Sequence, residues 1–454
     1  MRWLPFLLLL PGCGALETLP EKLFDRRTAR ERYEAGLDAA GLAATGLVRD
    51  WRAAGERALA AAPVVSLPVE EQGYFVPGEP AALSWRVAVR RGQRLSLVVS
   101  FAADSSARIF LEVWRDHPDS GRGFERVIEA DSGLRSLRWS PRRDGDLVVR
   151  IQPELLRGGR FTARLAVDPV LAFPVSGRGE RDIRSRFGAP RDGGRRDHHG
   201  VDIFAPRGTP VLAGAAGAVR RVETTTLGGR VVWLRDGDGH ALYYAHLDRQ
   251  AVSDGQEVEV GDTLGFVGNT GNARTTLPHL HFGVYARGEG PLDPWYFLHR
   301  PPGTIPKLTA DTSRLGAWLR TPGAGLVMRP WPSAPDTARA LPGHTPVRVL
   351  AAIGGWFRVR LPDGTTGYVV ARKLESLERP LSVSAAGADV DLVSVPSPSE
   401  AEFVVRALDA GDALQVFGYF EDFALVRIDG VTGWVGLANR PSVRQSVRPS
   451  SGTP

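Results

Sequence analysis

Glycine and proline punctuate this chain too often for long helices to dominate it. The 454 residues include 52 glycines and 34 prolines, about a fifth of the total. Their spacing cuts the sequence into short runs joined by turns, the pattern of β structure. Segments 83–89, 95–99, 109–114, 147–151 and 161–165 alternate apolar and polar positions in that way. At about 100–200 residues per domain, such a chain divides into three or four units rather than one core. The expected class is mainly β and multidomain. One stretch, 27–62, reads as helical, with Tyr33, Leu37, Ala40, Ala44, Leu47, Val48, Trp51 and Leu59 near helical spacing and a break expected around Gly36, Gly41 and Gly46. It is read as a spacer.

Hydrophobic residues at 43% and charged residues at 24% exclude wholesale disorder and a polytopic membrane protein. The formal charge is +6, yet only Lys22, Lys307 and Lys373 are lysines among the 57 basic residues. The arginines are scattered and mixed with acids, so no nucleic-acid partner is expected.

Cys13 is the single cysteine, which rules out an intramolecular disulfide. The apolar run from Trp3 to Leu10 is too short to span a bilayer but fits a signal-peptide core. Leu10-Pro11-Gly12-Cys13 resembles the lipobox of bacterial lipoproteins. The resemblance implies a signal peptide over 1–12, lipidation of Cys13, and a lipid anchor with helical spacer over 13–62. Gly14 in place of an Asp points to the outer membrane, with the protein in the cell envelope facing the periplasm.

The chemistry concentrates in two clusters. In His198-His199-Gly200-Val201-Asp202, the first His and the Asp stand four apart, and Gly200 and Pro206 argue against a helix. On a straight strand they would lie about 13 Å apart, so a shared metal requires a bend, for which Gly200 supplies freedom. In His279-Leu280-His281, positions i and i+2 of a strand send both rings to one face. Between them, Tyr243-Tyr244-Ala245-His246-Leu247 is strand-like and ends in another His. Two His and one Asp make a three-ligand site, the number expected of catalytic zinc, and two further His remain for proton transfer.

His198-x-Gly200-x-Asp202, Ala205-Pro206-x-Gly208-Thr209-Pro210-Val211, Tyr244-x-His246-Leu247, Gly261-Asp262, Gly268-x-Thr270-Gly271 and His279-Leu280-His281-Phe282 together resemble the lysostaphin/LytM-like zinc endopeptidases over about 120 residues. The resemblance implies a small antiparallel β fold with an open groove. It implies one Zn(2+) held by His198, Asp202 and His281, with His246 and His279 orienting and activating the water. Substrate contacts are expected in the loops 188–197 and 268–276, at Asn269 and Thr270, and at Tyr244. His199, His240 and His299 are read as non-ligands, the last two on the surface.

The expected layout is a β-sandwich accessory domain (63–170), an antiparallel β metallopeptidase domain (171–300), a linker (301–312), two small β-barrels resembling bacterial SH3-like domains (313–378 and 379–440), and a disordered tail (441–454). The two barrels rest on a repeat in which Val359-Arg360-Leu361 and Gly367-Tyr368-Val369 match Val426-Arg427-Ile428 and Gly433-Trp434-Val435. The function implied is hydrolysis of peptide cross-links in peptidoglycan, with wall peptides or cell-wall enzymes as partners of the barrels. The alternative is a catalytically latent relative that binds and activates a cell-wall amidase.

Overall fold

A computed structural model describes residues 27–437, except 104–106, 118–122, 132, 335–337, 388–389 and 397–403. The expected signal peptide, Cys13 and the tail 441–454 lie outside the described residues. The described chain is mainly β.

Two helices, Ala29–Ala39 and Gly46–Ala60, precede the strands. Thr28 and Glu31 close a capping box on the first helix, and Gly41, at φ +72°, turns the chain between the two. The pair does not stand away from the body as a spacer. Trp51 packs against Tyr33 and Phe110 and donates its Nε1–H to the Pro153 carbonyl at 2.9 Å. Buried Arg30 donates to Gln152 at 2.7 Å and faces the Glu112 carboxylate. Burying the apolar face of the hairpin against the nearest sheet explains the difference.

That sheet is four-stranded, in the order Leu83–Val89, Gly145–Pro153, Ile109–His117, Gly123–Glu129. A second layer runs Val69–Phe75, Gly159–Pro169, Gln93–Ala102, Ser136–Trp139. Alternating inward residues, including Trp85, Leu97, Leu111, Val149 and Leu165, fill the space between the layers.

The second layer continues beyond Val69–Phe75. Strand Pro346–Ile353 pairs antiparallel with it, Gln72 opposite Ala352 and Gly73 opposite Ala351, and Trp356–Arg360 and Thr366–Val370 follow in order. A Cβ on Gly73 would lie 2.2 Å from the Phe161 ring, so the crossing requires glycine. Trp331, Ala351, Ile353 and Tyr368 join the sandwich core. The first C-terminal repeat and the sandwich therefore share one sheet and one core. The second repeat packs on the first, with Phe417, Phe420 and Trp434 against a cluster that includes Val347 and Phe357.

Residues 171–300 are inserted between these sheet-sharing parts. Entry and exit lie side by side: Leu171 donates to the Phe297 carbonyl at 3.1 Å, and Arg300 pairs with Asp168 at 3.1 Å. Within the insert, an antiparallel sheet runs Glu257–Val258, Gly217–Thr225, Gly229–Asp236, Ala241–Gln250, His279–Ala286, Val201–Phe204, Ile183–Ser185. Its central strands present the site.

Candidate metal centre and groove

Strand pairing assembles the centre. Asp202 lies directly opposite His281, and Phe204 opposite His279, in the ladder between Val201–Phe204 and His279–Ala286. Residues two apart share a face, so both histidines project beside Asp202. His198 stands just before the strand, between Arg196–Asp197 and Val201–Phe204. Its backbone N–H donates to the Ala189 carbonyl and its carbonyl accepts from Gly188, each at 2.9 Å.

Gly200 does not supply the bend through a left-handed backbone, since its φ is not positive. It permits close approach instead: a Cβ there would lie 2.5 Å from the Phe282 carbonyl oxygen and 2.7 Å from the His281 ring.

The donor atoms converge. His198 Nε2 is 3.0 Å from Asp202 Oδ1 and 2.9 Å from His281 Nδ1, and His281 Nδ1 is 3.1 Å from Asp202 Oδ1. Ligand atoms around a tetrahedral ion with bonds of about 2.0–2.1 Å stand about 3.3–3.4 Å apart, so this triangle fits zinc after shifts of a few tenths of an ångström. His198 donates its Nδ1–H to the Arg186 carbonyl at 2.8 Å, which leaves the Nε2 lone pair facing the other two donors. Arg191 donates to Asp202 Oδ2 and to Ser185 Oγ, each at 2.6 Å. One carboxylate oxygen is thereby occupied and the other faces the centre. Burial alone would raise the Asp202 pKa, but the adjoining His198 and His281 outweigh it and hold the carboxyl well below its ordinary range.

His246 and His279 face the same point. His246 Nδ1 lies 2.9 Å from the Thr270 carbonyl and His279 Nδ1 2.8 Å from the Leu277 carbonyl, so each ring donates there and turns Nε2 inward. The His246 ring centroid is 5.1 Å from that of His279 and 5.8 Å from that of His281. Burial, with His281 and His279 nearby, pushes the His246 pKa down to about 4, and burial also lowers that of His281. At neutral pH His246 is an uncharged proton acceptor.

The expected substrate contacts are placed differently. Tyr244 is fully buried, and its hydroxyl accepts from the Gly214 N–H at 3.0 Å. Simple alternation would put Tyr244 and His246 on one face, but His246 has φ +63°, which reverses the side to which it points. Tyr243 and Ala245 line the groove instead. Asn269 holds its own loop, donating to the Arg274 and Thr276 carbonyls at 3.3 Å. The Thr270 hydroxyl donates to the Leu247 carbonyl at 2.9 Å and accepts from Arg230 N–H, while its carbonyl orients His246. Neither Asn269 nor Thr270 is among the residues lining the groove.

His199 lines the groove edge near Phe187. His240 and His299 lie outside it, paired with Asp236 at 3.0 Å and Glu180 at 2.7 Å. Asp236, Asp238 and His240 form a second cluster of donors in a hairpin turn, where Asp236 is already committed to the His240 backbone and ring. Sequence reasoning gave no individual role to Arg191, Trp233, Tyr243 or Tyr285. Strand parity alone could have found Tyr285, which lies four residues from His281, whereas Tyr243 is placed by its pairing with Gly283 in the folded sheet.

The groove has a cavity volume of about 610 Å³. That is room for a peptide-sized ligand. The segment around it, residues 196–294, matches the profile of "Peptidase family M23". The chain carries an M23 peptidase domain. Among curated relatives, the L-Ala--D-Glu endopeptidase of Bacillus subtilis is 38% identical over 138 residues, covering 28% of this chain and 42% of that protein. The peptidoglycan DD-endopeptidase ShyC of Vibrio cholerae is 34% identical over 116 residues, covering 26% of this chain and 24% of that protein. The chain thus spans less than half the length of either relative. Among solved structures, the catalytic domain of lysostaphin from Staphylococcus simulans is 32% identical, with 26% of this chain and 93% of that one covered and a TM-score of 0.24. By sequence, the M23 domain is similar to domains of curated endopeptidases, the peptidoglycan DD-endopeptidase ShyC among them.

Proposed function

We propose that this chain is a zinc-dependent endopeptidase that hydrolyses peptide cross-links of peptidoglycan in the cell envelope. The observation that carries the reading is the convergence of His198 Nε2, Asp202 Oδ1 and His281 Nδ1 within 3.1 Å of one another, faced by His246 and His279. In this reading His198, Asp202 and His281 hold the ion. When bound, the ion supplies Lewis acidity toward water and the scissile carbonyl.

The remaining steps belong to the chain. A neutral ring whose Nδ1–H is spent on a backbone carbonyl can only accept at Nε2. His246 therefore takes a proton as water oxygen bonds to the carbonyl carbon, and as imidazolium returns it to the leaving amine nitrogen when the C–N bond breaks. His279, oriented by the Leu277 carbonyl and stacked at 5.0 Å on Phe204, accepts a hydrogen bond from the water at Nε2 and fixes it. The two repeats serve as wall- or protein-binding modules, and lipid on Cys13 tethers the enzyme to the outer membrane. No described helix is long and apolar enough to cross a membrane.

The test is mass analysis of fragments released from diaminopimelate-type sacculi by a soluble form starting at Gly14, with zinc supplied. Cross-linked dimers should fall as monomers rise. An absence of release would favour a latent, amidase-activating role.

A further inference from the structure

One side chain of the metal centre, His198, is held from behind by a turn. Arg186-Phe187-Gly188-Ala189 closes through the Ala189 N–H and the Arg186 carbonyl at 3.3 Å, with Gly188 at φ +76°. The same turn grips His198 at three points. The Arg186 carbonyl accepts from Nδ1 at 2.8 Å, the Gly188 N–H donates to the His198 carbonyl, and the Ala189 carbonyl accepts from the His198 N–H, the last two at 2.9 Å. Where the turn sits therefore decides where Nε2 points. Yet the turn lies between the strands Ile183–Ser185 and Pro190–Arg191 rather than in either, and Arg186 and Gly188 are exposed.

A side chain from the far end of the domain meets this turn. The Arg186 guanidinium lies 3.4 Å from the centroid of the Trp295 ring, a direct cation–π stack. Trp295 opens the short helix Trp295–Leu298, where Asp293 accepts from its backbone N–H at 2.9 Å. Its ring also stacks on His299, with centroids 4.4 Å apart and planes 16° from parallel. His299 in turn pairs with Glu180 at 2.7 Å, and the second oxygen of Glu180 accepts from the Arg300 N–H at 2.9 Å. Phe297 and Leu298 of the same helix are buried in the core of the domain. Trp295 is thus a fixed surface on which an exposed turn rests.

We infer that Trp295 is a positioning residue for the metal centre: by stacking on Arg186 it holds the turn that orients His198, and so sets how tightly the centre keeps its ion. The inference rests on the proposed reading of His198 as a ligand. Neither Arg186 nor Trp295 is among the residues lining the groove, so the effect falls on the metal rather than on substrate contacts. An exposed cation–π stack is worth a factor of about two to five in an equilibrium constant, and an effect of that size on zinc affinity follows.

The probe is zinc itself, titrated into metal-free protein in competition with a chromogenic chelator. Trp295→Leu keeps most of the bulk and removes the aromatic face. Arg186→Ala, at an exposed side chain, keeps the carbonyl that His198 uses and removes the guanidinium. Each should weaken zinc binding about two- to fivefold, and the double variant no further, because both remove the same contact. Trp295→Phe, which retains a ring face, should stay within about twofold of the unaltered protein. Cooperative urea unfolding of each variant reports that it is folded. Unchanged affinity in Arg186→Ala would overturn the positioning role while leaving the metal centre standing. So would losses that multiply in the double variant, or a Trp295→Phe protein as weak as Trp295→Leu. Absence of zinc binding by the unaltered protein would sink the ligand reading itself, and the positioning role with it.

Discussion

The Tyr368 hydroxyl donates a 2.6 Å hydrogen bond to the carboxylate of Glu71, 297 positions away in the chain. Glu71 is fully buried, and its other oxygen accepts from Trp85 Nε1 at 2.6 Å. One carboxylate thus joins the sandwich to the first C-terminal repeat, across the strand pairing of Gln72 with Ala352. Removing one donor leaves a buried charged acceptor short of a partner. Tyr368→Phe should lower unfolding stability by about 1–3 kcal/mol in denaturant titration. Zinc content should not change, because no groove residue belongs to this network.

The two histidines of His279-Leu280-His281 should separate by role. His281→Ala should lose bound zinc, measured by metal analysis, together with activity. His279→Ala should keep the zinc and lose activity. Equal zinc loss in both proteins would undo the division between ligand and proton-handling residue.

Arg191 should govern metal affinity without touching the ion. Its guanidinium occupies Asp202 Oδ2 and leaves Oδ1 for the centre. Arg191→Ala should weaken zinc binding about tenfold in a chelator competition, in the range of other partners that orient ligands. Unchanged affinity would show that Asp202 holds its orientation without Arg191.

Neighbouring tyrosines should behave oppositely. Tyr244→Phe removes a buried hydrogen bond to Gly214 and should cost about 1 kcal/mol of stability with KM unaltered. Tyr243→Ala removes a ring that lines the groove and should raise KM. The reverse outcome would place Tyr244 in the groove.

Metal-free protein should lose stability on mild acidification. His246 stays neutral in the folded chain down to about pH 4. The unfolded chain takes up its proton near the ordinary value of about 6.5. The unfolded state therefore gains protons first, and this group's stabilising contribution, complete above about pH 6.5, is lost as pH falls toward 4. Between pH 7.5 and pH 5 the loss should be about 2 kcal/mol in urea titrations of chelator-treated protein. His246→Gln should remove this group's share of that difference and leave the share of buried His281.

What the sequence determined by itself was local. Glycine and proline spacing dictated a mainly β chain, since frequent turns leave no room for long helices. The identity of His198, Asp202, His246, His279 and His281 specified the donor chemistry, and the i, i+2 rule placed His279 and His281 on one face, because ligand type and strand alternation involve only neighbours along the chain. Tertiary structure decided the rest. Nothing near Glu71 encodes that its partner is Tyr368, because strand pairing across hundreds of residues is set by which edges and cores meet. The hairpin of Ala29–Ala39 and Gly46–Ala60 reads as a spacer until a sheet is present to bury Trp51. Tyr244 reads as a groove residue until the left-handed backbone at His246, a conformation that costs a non-glycine residue energy and is held by its surroundings, turns the imidazole into the site and leaves the phenol in the core.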